Sequence, residues 1–251
     1  MAKRHKRRDK RLSGRTARRR VLRVTVSPDG PAETSPRADF LAGEEPLGIR
    51  VDGTSCGHGD HDGLGNIADV VLASGVLVAP GARRNFMTTS ACGVCGKASI
   101  EDICVLPHAA LSADETRFSP AVLASLPGRL RSAQRVFSRT GGLHAAGLFT
   151  AAGEVVAVRE DVGRHNAVDK IVGWALLDGR LPLAGCALLV SGRASFELVQ
   201  KAVLAGIPLL AAVSAPSSLA VSLAEEAGLT LVGFLRGQSM NVYAGAHRVI
   251  A

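Results

Sequence analysis

The sequence predicts an α/β protein whose C-terminal half contains a parallel sheet. Short apolar strands, GCALLV, IPLLAAV and LTLVGFL, alternate there with the helical segments SFELVQKAVLAG and SLAVSLAEEAG. Strands joined through helices of this length need crossover connections, which make the strands parallel. The composition agrees, because 47% hydrophobic residues, 28 glycines and 4% aromatic residues are typical of many short elements joined by tight turns. An all-helical fold is disfavoured.

The elements before that half are predicted in chain order. VLRVTV alternates like a strand from Val21, PLGIRVDG contains a second short strand, and NIADVVLASGVLV indicates a further strand or strand pair. Ser119 as N-cap, Pro120 at the first helical position and Gly141 just past the end delimit a helical stretch. Pro127 is expected to split that stretch into two helices.

A hairpin and a further helix are predicted next. LHAAGLF and VVAVRED flank the turn TAAGE and predict two antiparallel strands, and Asp161 at the end of the second strand is expected to cap the helix that follows. That helix places Asp161, His165 and Asp169 four residues apart on one face. A metal could be held there, although a row of solvent-facing pairs with Asp161 as cap explains each residue alone.

Positive charge is concentrated at the N-terminus. The formal net charge is +8, and residues 1–23 hold 12 of the 30 Lys and Arg residues but one of the 22 acidic residues. The remainder has 18 basic and 21 acidic residues, so the body is not basic. A like-charge block repels itself and buries nothing, so residues 1–23 are predicted to be a disordered tail that binds nucleic acid at most nonspecifically. Residues 24–105 are expected to form an N-terminal β-rich part that contains the CxxC motif of Cys92 and Cys95, and residues 106–251 a C-terminal α/β part that binds a ligand.

Cysteine usage and the N-terminal sequence predict a cytoplasmic protein. Five cysteines are too few, and an odd number, for a disulfide framework in 251 residues. The basic N-terminus is followed by VLRVTVSPDG rather than by an apolar stretch, which argues against a secretory or twin-arginine signal. No uncharged apolar run reaches the roughly 18 residues that span a membrane, so no membrane association is expected.

The sharpest local feature is TTSACGVCGK, which holds two glycine-flanked thiols, Cys92 and Cys95. Such a pair serves as a thiol redox couple, as half of a zinc site or as a sulfur carrier. A zinc site needs two more ligands, which Cys56, His58 and His61 could supply. A thioredoxin-like pair is expected at the start of a helix in a small domain, whereas this pair lies among glycines in mid-chain. The motif alone leaves these alternatives open.

A sulfur carrier needs a thiolate whose pKa is lowered by nearby cations or backbone N–H groups. Lys97 and the amides of the flanking glycines are suited to that role. The persulfide then offers its outer sulfur to an acceptor, and a mobile loop lets one cysteine visit donor and acceptor in turn. Cys104 and Cys186 lie in apolar sequence and are predicted to be inert core residues.

A ligand site is predicted where three consecutive strands of the parallel half end. Ser191 and Arg193 lie in SGRASFE after the first strand, SAPSS follows the second, and FLRGQSMN ends the third. Backbone N–H groups at a helix start, hydroxyls and a guanidinium together suit a phosphate. Because the carboxyl ends of parallel strands meet at one edge, a nucleotide-sized anion is expected there. Ordinary helix capping explains each cluster alone.

Five segments together resemble the FdhD family of formate dehydrogenase accessory sulfurtransferases: RNFMTTSACGVCGKASIEDI, RTGGLHAAGLF, VREDVGRHNAVDKIVG, SGRASFELVQKAVLAGIPLLAAVSAPSSLA and VGFLRGQSMNVY. The resemblance covers residues 45–53 and, in order, residues 66–251. It implies a cytidine-deaminase-like sheet with flanking helices plus a small N-terminal β-rich part, in a homodimer. It also implies a relay of sulfur from a cysteine desulfurase, through a persulfide, to the bis-molybdopterin guanine dinucleotide cofactor destined for formate dehydrogenase.

The resemblance also implies site residues. The catalytic persulfide cysteine matches Cys92, and Cys95 is the companion thiol. The cofactor-binding hexapeptide falls on Phe234, Leu235, Arg236, Gly237, Gln238 and Ser239. Ser191 and Arg193 complete the expected cofactor-binding set. The molybdenum cofactor is a bound substrate in this scheme, and no resident metal is expected.

This chain departs from the family pattern after Gly53, which Cys56 follows almost directly. Family members usually carry there a further segment of roughly 30 to 40 residues, enough for a strand and a helix of the core. Its loss is expected to expose apolar surface and to weaken stability, dimerisation or activity. The alternative functions are a non-catalytic molybdenum-cofactor-binding chaperone and a zinc-dependent deaminase-like hydrolase, although the H-x-E motif of the latter is missing.

Overall fold

A computed structural model describes residues 16–27, 30–43, 48–51, 54–55, 67–72, 111 and 113–250. The chain divides into two units. One comprises Met1–Glu44 with Leu106–Ala251, and the other comprises Glu45–Val105. Among the described residues, no helix is both long and apolar enough to cross a membrane.

The elements of the described residues follow in chain order. The strands are β1 (Thr16–Thr25), β2 (Glu33–Ala42), β3 (Gly48–Val51), β4 (Thr54–Ser55), β5 (Ile67–Val70), β6 (His144–Thr150), β7 (Val155–Asp161), β8 (Cys186–Val190), β9 (Leu209–Ala212), β10 (Thr230–Arg236) and β11 (Ser239–Ala244). The helices are α1 (Pro120–Ala133), α2 (Phe137–Thr140), α3 (Arg164–Leu177), α4 (Phe196–Leu204) and α5 (Ser218–Glu226), and a 3₁₀ turn follows at Ala246–Arg248.

The larger unit contains an eight-stranded mixed sheet in the order β2-β1-β11-β10-β9-β8-β6-β7. The central strands β8, β9 and β10 are parallel, whereas every other pairing in this sheet is antiparallel. The predicted α/β class, with its parallel strands joined through helices, is therefore confirmed. The carboxyl ends of β8, β9 and β10 lie along one edge of the sheet. In the smaller unit, β3 pairs antiparallel with β4 and parallel with β5.

The main core lies between α1 and one face of the large sheet. Leu123, Leu126 and Leu130 of the helix are buried together with Phe149 and Leu209 of the strands, among others. Because successive strand residues point to opposite faces, the neighbouring apolar residues of β8 to β10 are buried on the other face. There α4 contacts both α3 and α5, and the three helices cover the strands. Because both faces of β8, β9 and β10 are covered by helices, the sequences of these strands are continuous apolar runs.

The prediction of a disordered tail is wrong for residues 16–23, which form most of β1. Val21 and Val24 are buried in this strand, while the arginines Arg18 and Arg20 stay exposed. The strand therefore buries Val21 and Val24 while the charges of Arg18 and Arg20 remain in solvent. Since β1 and β2 join the large sheet, residues 24–44 belong to the same unit as the α/β part and not to a separate β-rich part.

Two local predictions also need correction. Pro127 does not split the helix, because α1 continues past it to Ala133 and its apolar residues stay packed on the sheet. Asp161 ends β7, and Gly163 is the N-cap of α3, although the Asp161 carboxylate accepts a hydrogen bond from the Gly163 amide at 2.8 Å. The third parallel strand, β10, ends within FLRGQSMN at Arg236 as predicted, and the chain then turns back into β11 from Ser239. The predicted positions of the N-cap Ser119 and of the αL residue Gly141 are confirmed.

Arg248 near the C-terminus is 2% exposed and holds three segments together. Its guanidinium donates to the carbonyls of Leu111 at 2.6 Å, Asp114 at 3.0 Å and Gly228 at 2.9 Å. It also lies 3.3 Å from the hydroxyl of Thr230, the first residue of β10. The buried guanidinium therefore connects the C-terminal 3₁₀ turn to two other segments, residues 111–114 and the α5–β10 turn.

Candidate functional site

Backbone hydrogen bonds join the three strand ends that the sequence singles out. The Ser214 amide donates to the Gly192 carbonyl at 3.2 Å, and the Phe234 amide donates to the Ser214 carbonyl at 3.1 Å. Residues 191–195, 213–217 and 234–239 therefore form one continuous surface, here called the strand-end site. The predicted juxtaposition is present in the structure.

The end of β10 is distorted at Phe234, which has φ 49° in the left-handed region. The register against β11 shifts between Gly233 and Arg236, as in a β-bulge. Gly233 cannot be larger, because a Cβ there would lie 2.7 Å from the Tyr243 ring and 2.8 Å from Pro216. A non-glycine residue held in this region costs about 1–3 kcal/mol, and such strain concentrates at functional sites. The strained residue begins the expected cofactor-binding hexapeptide.

Arg236 is the cation best placed to hold an anion at this site. Its Nε donates to the Val213 carbonyl at 2.7 Å, and its guanidinium lies 5.6 Å from the centre of the Phe234 ring. These contacts orient the exposed side chain. Its terminal nitrogens make no hydrogen bond to another described residue. Two parallel N–H groups of this kind match a phosphate or a carboxylate.

Ser191 and Arg193 lie on the opposite side of the strand-end site. The Ser191 hydroxyl accepts from the Ala145 amide at 2.9 Å and borders a cavity of about 560 Å³. His144 and Val213 also line this cavity, together with residues of α1 and α2. Arg193 is exposed, and within the described part of the chain it has no hydrogen bond or ion pair. Leu235, by contrast, is fully buried in the core, so its side chain does not face this surface.

The row Asp161, His165 and Asp169 does not converge on one point. Asp161 forms an ion pair with Lys170 at 2.6 Å, and Asp169 pairs with Lys201. The Lys170 ammonium is the largest influence that lowers the pKa of Asp161, to about 2. His165 turns instead toward the strand-end site. The structure therefore favours separate pairs, and the metal hypothesis for this row is not supported by its geometry.

His165 forms a small polar cluster with Ser195 and Glu197 at the start of α4. Its Nε2 lies 3.2 Å from the Ser195 hydroxyl and 3.7 Å from Glu197 Oε2. The second distance exceeds a hydrogen bond, and Glu197 Oε2 is a buried atom that accepts no hydrogen bond from another described residue. The nearby imidazole nevertheless is the main cause that lowers the pKa of Glu197 to about 2. The cluster thus places a partly buried negative charge beside the strand-end site.

The lowered pKa of Glu197 predicts a pH dependence of stability. A carboxylate with a depressed folded pKa stabilises the protein fully above its ordinary value of about 4.5, and this contribution is lost as the pH falls toward 2. Because the group is partly exposed, we expect a loss of about 1–2 kcal/mol from Glu197. Urea unfolding at pH 6 and pH 3 should show a smaller drop for Glu197→Gln than for wild type. An equal drop would contradict the assignment.

The cysteines that are predicted to carry the sulfur lie outside the described residues. This applies to Cys92 and Cys95 and equally to Cys56, His58, His61, Lys97 and Cys104, whose predicted roles stay predictions. Cys186 is described as the half-buried first residue of β8, and it is a free thiol. Burial, with a smaller contribution from Asp114, raises the pKa of that thiol. A raised thiol pKa disfavours reactivity, in line with the expected inert role.

One residue at the site was missed by sequence reasoning, because it falls in the predicted tail. Arg23 of β1 donates to the Ser239 hydroxyl at 2.7 Å and to the Asn241 side-chain oxygen at 3.0 Å. The signal for it is the alternation of VLRVTV, which includes Arg23 in a strand. No local pattern, however, indicates that this strand pairs with the last strand of the chain.

The protein-family comparison agrees with the motifs described above. The model of the FdhD/NarQ family matches residues 44–250, which is most of the chain. This chain belongs to the FdhD/NarQ family. The match includes all eight residues of the expected cofactor-binding set and both cysteines of the CxxC motif, and it excludes β1 and β2.

Curated FdhD relatives are similar over nearly their full length. The sulfur carrier protein FdhD of Nocardia farcinica is 50% identical over 277 aligned residues, which cover 95% of this chain and 96% of that protein. The protein of the same name from Mycolicibacterium paratuberculosis is 56% identical, with 90% and 86% coverage. The first alignment is longer than the 251 residues of this chain, so that relative carries residues that this chain lacks. The location of the loss after Gly53 stays a prediction.

A solved structure supports the fold. The crystal structure of a protein from Desulfotalea psychrophila, described as a candidate formate dehydrogenase accessory protein, matches this FdhD/NarQ chain with a TM-score of 0.53. The match covers 94% of this chain and 100% of that one at 22% sequence identity. At this identity the likeness concerns the fold.

Proposed function

We propose that this protein is a sulfurtransferase of formate dehydrogenase maturation. It takes sulfur from a cysteine desulfurase as a persulfide on Cys92, with Cys95 as companion thiol. It then delivers the sulfur to the bis-molybdopterin guanine dinucleotide cofactor, which is its substrate. The relatives that carry the name sulfur carrier protein support this role. We further propose that it acts in the cytoplasm as a homodimer, in contact with the desulfurase and with formate dehydrogenase.

The strand-end site is the structural observation that carries the proposal. A guanine dinucleotide presents phosphates and a flat base, and such a ligand needs cations, hydrogen-bond donors and a surface to stack on. Arg193 and Arg236 supply the cations, the Ser191 hydroxyl lines a cavity of about 560 Å³, and the Phe234 ring lies under the Arg236 guanidinium. The carboxyl edge of parallel strands is where α/β proteins bind nucleotides.

The loading step needs no oxidant or reductant. The Cys92 thiolate attacks the outer sulfur of the persulfide on the desulfurase, and a new sulfur–sulfur bond forms on Cys92. The sulfur–sulfur bond of the donor breaks, and its cysteine leaves as a thiolate. The outer sulfur thus moves from the desulfurase to Cys92 with no net oxidation or reduction. We propose that the glycine-rich segment around Cys92 then presents this sulfur to the bound cofactor.

The proposal is tested by mass spectrometry of the intact protein after incubation with a cysteine desulfurase and cysteine. We expect the mass to rise by one sulfur atom and to return to its starting value after reduction with dithiothreitol. A wild-type protein that gains no sulfur, but still binds guanine nucleotide, would instead be a non-catalytic cofactor chaperone. Stoichiometric zinc in the purified protein would favour the deaminase-like hydrolase.

Replacement of Arg236 by alanine should weaken the binding of guanosine diphosphate, a probe of the nucleotide end of the cofactor. Loss of a bidentate charged contact to phosphate predicts an affinity about 10- to 100-fold lower. Isothermal titration calorimetry measures this directly. Arg236→Lys should recover only part of the affinity, because lysine lacks the planar pair of donors.

Arg180→Ala is the matched control for this titration. Arg180 lies beyond the end of α3, where it pairs with Asp178 and stacks on Trp174, away from the strand ends. Its loss should leave the affinity unchanged. If Arg236→Ala and wild type bind guanosine diphosphate with equal affinity, the hexapeptide is not part of the nucleotide-binding site.

A further inference from the structure

The N-terminal hairpin borders the expected cofactor-binding turn although it lies outside the family match. That match begins at residue 44, after the end of β2. Within the sheet, Thr25 of β1 lies opposite Ser239, and the Val26 amide donates to the Gln238 carbonyl at 2.7 Å. The β10–β11 turn is therefore attached on one side to residues that the family model does not include.

The guanidinium of Arg23 extends this attachment to the side chains of the turn. It donates to the Ser239 hydroxyl at 2.7 Å, and that hydroxyl in turn lies 3.4 Å from the Arg236 carbonyl. The second guanidinium nitrogen donates to Asn241. Arg23 is thus linked through one serine to the backbone of the arginine that we expect to hold phosphate.

A second set of hydrogen bonds links Asn241, and through it Arg23, to β2. The Asn241 amide donates to Asp39 of β2 at 3.2 Å, and the Tyr243 hydroxyl donates to the same carboxylate oxygen at 2.5 Å. Burial raises the pKa of Tyr243, and the Asp39 carboxylate raises it further. The phenol therefore remains a proton donor at neutral pH. These hydrogen bonds connect side chains of β2, β1 and β11 next to the β10–β11 turn.

We infer that Arg23 is a positioning residue for the ligand-binding turn of the strand-end site. It fixes Ser239 and, through it, the backbone at Arg236, without touching the ligand itself. Gly237 at the tip of the turn has φ 53°, and Gly237 and Gln238 are exposed. The backbone hydrogen bond from Val26 holds Gln238, and Arg23 adds a side-chain contact at Ser239. A turn ordered beforehand loses less entropy when the ligand binds. The inference rests on the proposed function in one respect, namely that this turn binds the guanine nucleotide.

A double-mutant cycle on guanosine diphosphate affinity tests whether Arg23 acts through Ser239. Arg23→Met keeps the alkyl stem and removes the donors, and we expect about 10-fold weaker binding. Ser239→Ala should weaken binding similarly, and the double variant should bind no worse than either single variant. Arg20→Ala, an exposed arginine on the same strand, should bind like wild type. Fully additive losses, or an unchanged affinity of Arg23→Met, would overturn the inference.

Amide hydrogen exchange of the free protein separates this inference from the proposed function. In wild type the Ser239 amide and its neighbours in the turn should be protected, and in Arg23→Met and Ser239→Ala they should exchange at least about 10-fold faster at an unchanged melting temperature. If wild type binds no guanosine diphosphate, the nucleotide site is wrong, and the exchange rates alone decide whether Arg23 orders the turn. Equal exchange in wild type and both variants would show that it does not.

Discussion

Replacement of Cys92 by alanine should abolish sulfur loading, with a fall in persulfide content of at least about 100-fold relative to wild type. In the proposed relay the Cys92 thiolate is the attacking group, and alanine has no sulfur with which to attack the donor persulfide. Cys92→Ala should therefore keep its starting mass after incubation with desulfurase and cysteine. The same variant should fail to restore activity to formate dehydrogenase in cells that lack their own FdhD protein.

Two further cysteine variants make this result specific. Cys95→Ala should still gain sulfur, since the companion thiol is not the expected carrier. Cys186→Ala should load like wild type, because that thiol is half-buried at the start of β8 and burial raises its pKa. If Cys92→Ala still gains sulfur and Cys95→Ala does not, Cys95 is the carrier.

Replacement of Arg248 by methionine should lower the free energy of unfolding by about 3–5 kcal/mol, the range seen when one partner of a buried charged network is removed. The guanidinium is 2% exposed and donates to the carbonyls of Leu111, Asp114 and Gly228. Methionine fills part of the space but removes the guanidinium donors of the Asp114 and Gly228 carbonyls, and it leaves the Leu111 carbonyl with the Asp114 amide at 3.2 Å as its donor. Each unsatisfied buried acceptor costs about 1–3 kcal/mol.

Urea denaturation followed by circular dichroism measures this loss. Arg135→Met is the matched control, because Arg135 is exposed and makes no hydrogen bond or ion pair in the described part of the chain. Its effect should stay within about 0.5 kcal/mol. A loss below about 1 kcal/mol for Arg248→Met would show that water replaces the guanidinium at these carbonyls.

The parallel centre of the fold could be predicted from the sequence because its signals are local. The apolar runs of β8, β9 and β10 and the helices between them fix both the element types and the strand direction. The continuation of α1 past Pro127 could not be predicted in this way. There, burial of Leu126 and Leu130 against the sheet outweighs the local cost of proline within a helix.

The strand-end site was predictable for the same reason, since its residues follow parallel strands that end at one edge. Its attachment to β1 was not. The contact between Arg23 and Ser239 joins residues 216 positions apart, and it depends on the pairing of the first strand with the last. The block of positive charge predicts disorder up to Arg23. In the structure residues 16–23 are a strand, because they pair with β2 along their whole length and, from Leu22 onward, with β11. Side-chain alternation shows that a strand can form but not with which partner.

The pairing of β1 with β11 also sets an order of events during synthesis. The hairpin of β1 and β2 leaves the ribosome long before β11, the strand with which β1 pairs. Until β11 is made, the edge groups of β1 that face it have no partner, and closure of this long-range contact is intrinsically slow. If the turn at Gly237 needs that contact to be ordered, the binding surface matures only after β11 has been synthesised and has paired with β1. A nascent chain that stops before β11 would then be unable to bind the nucleotide.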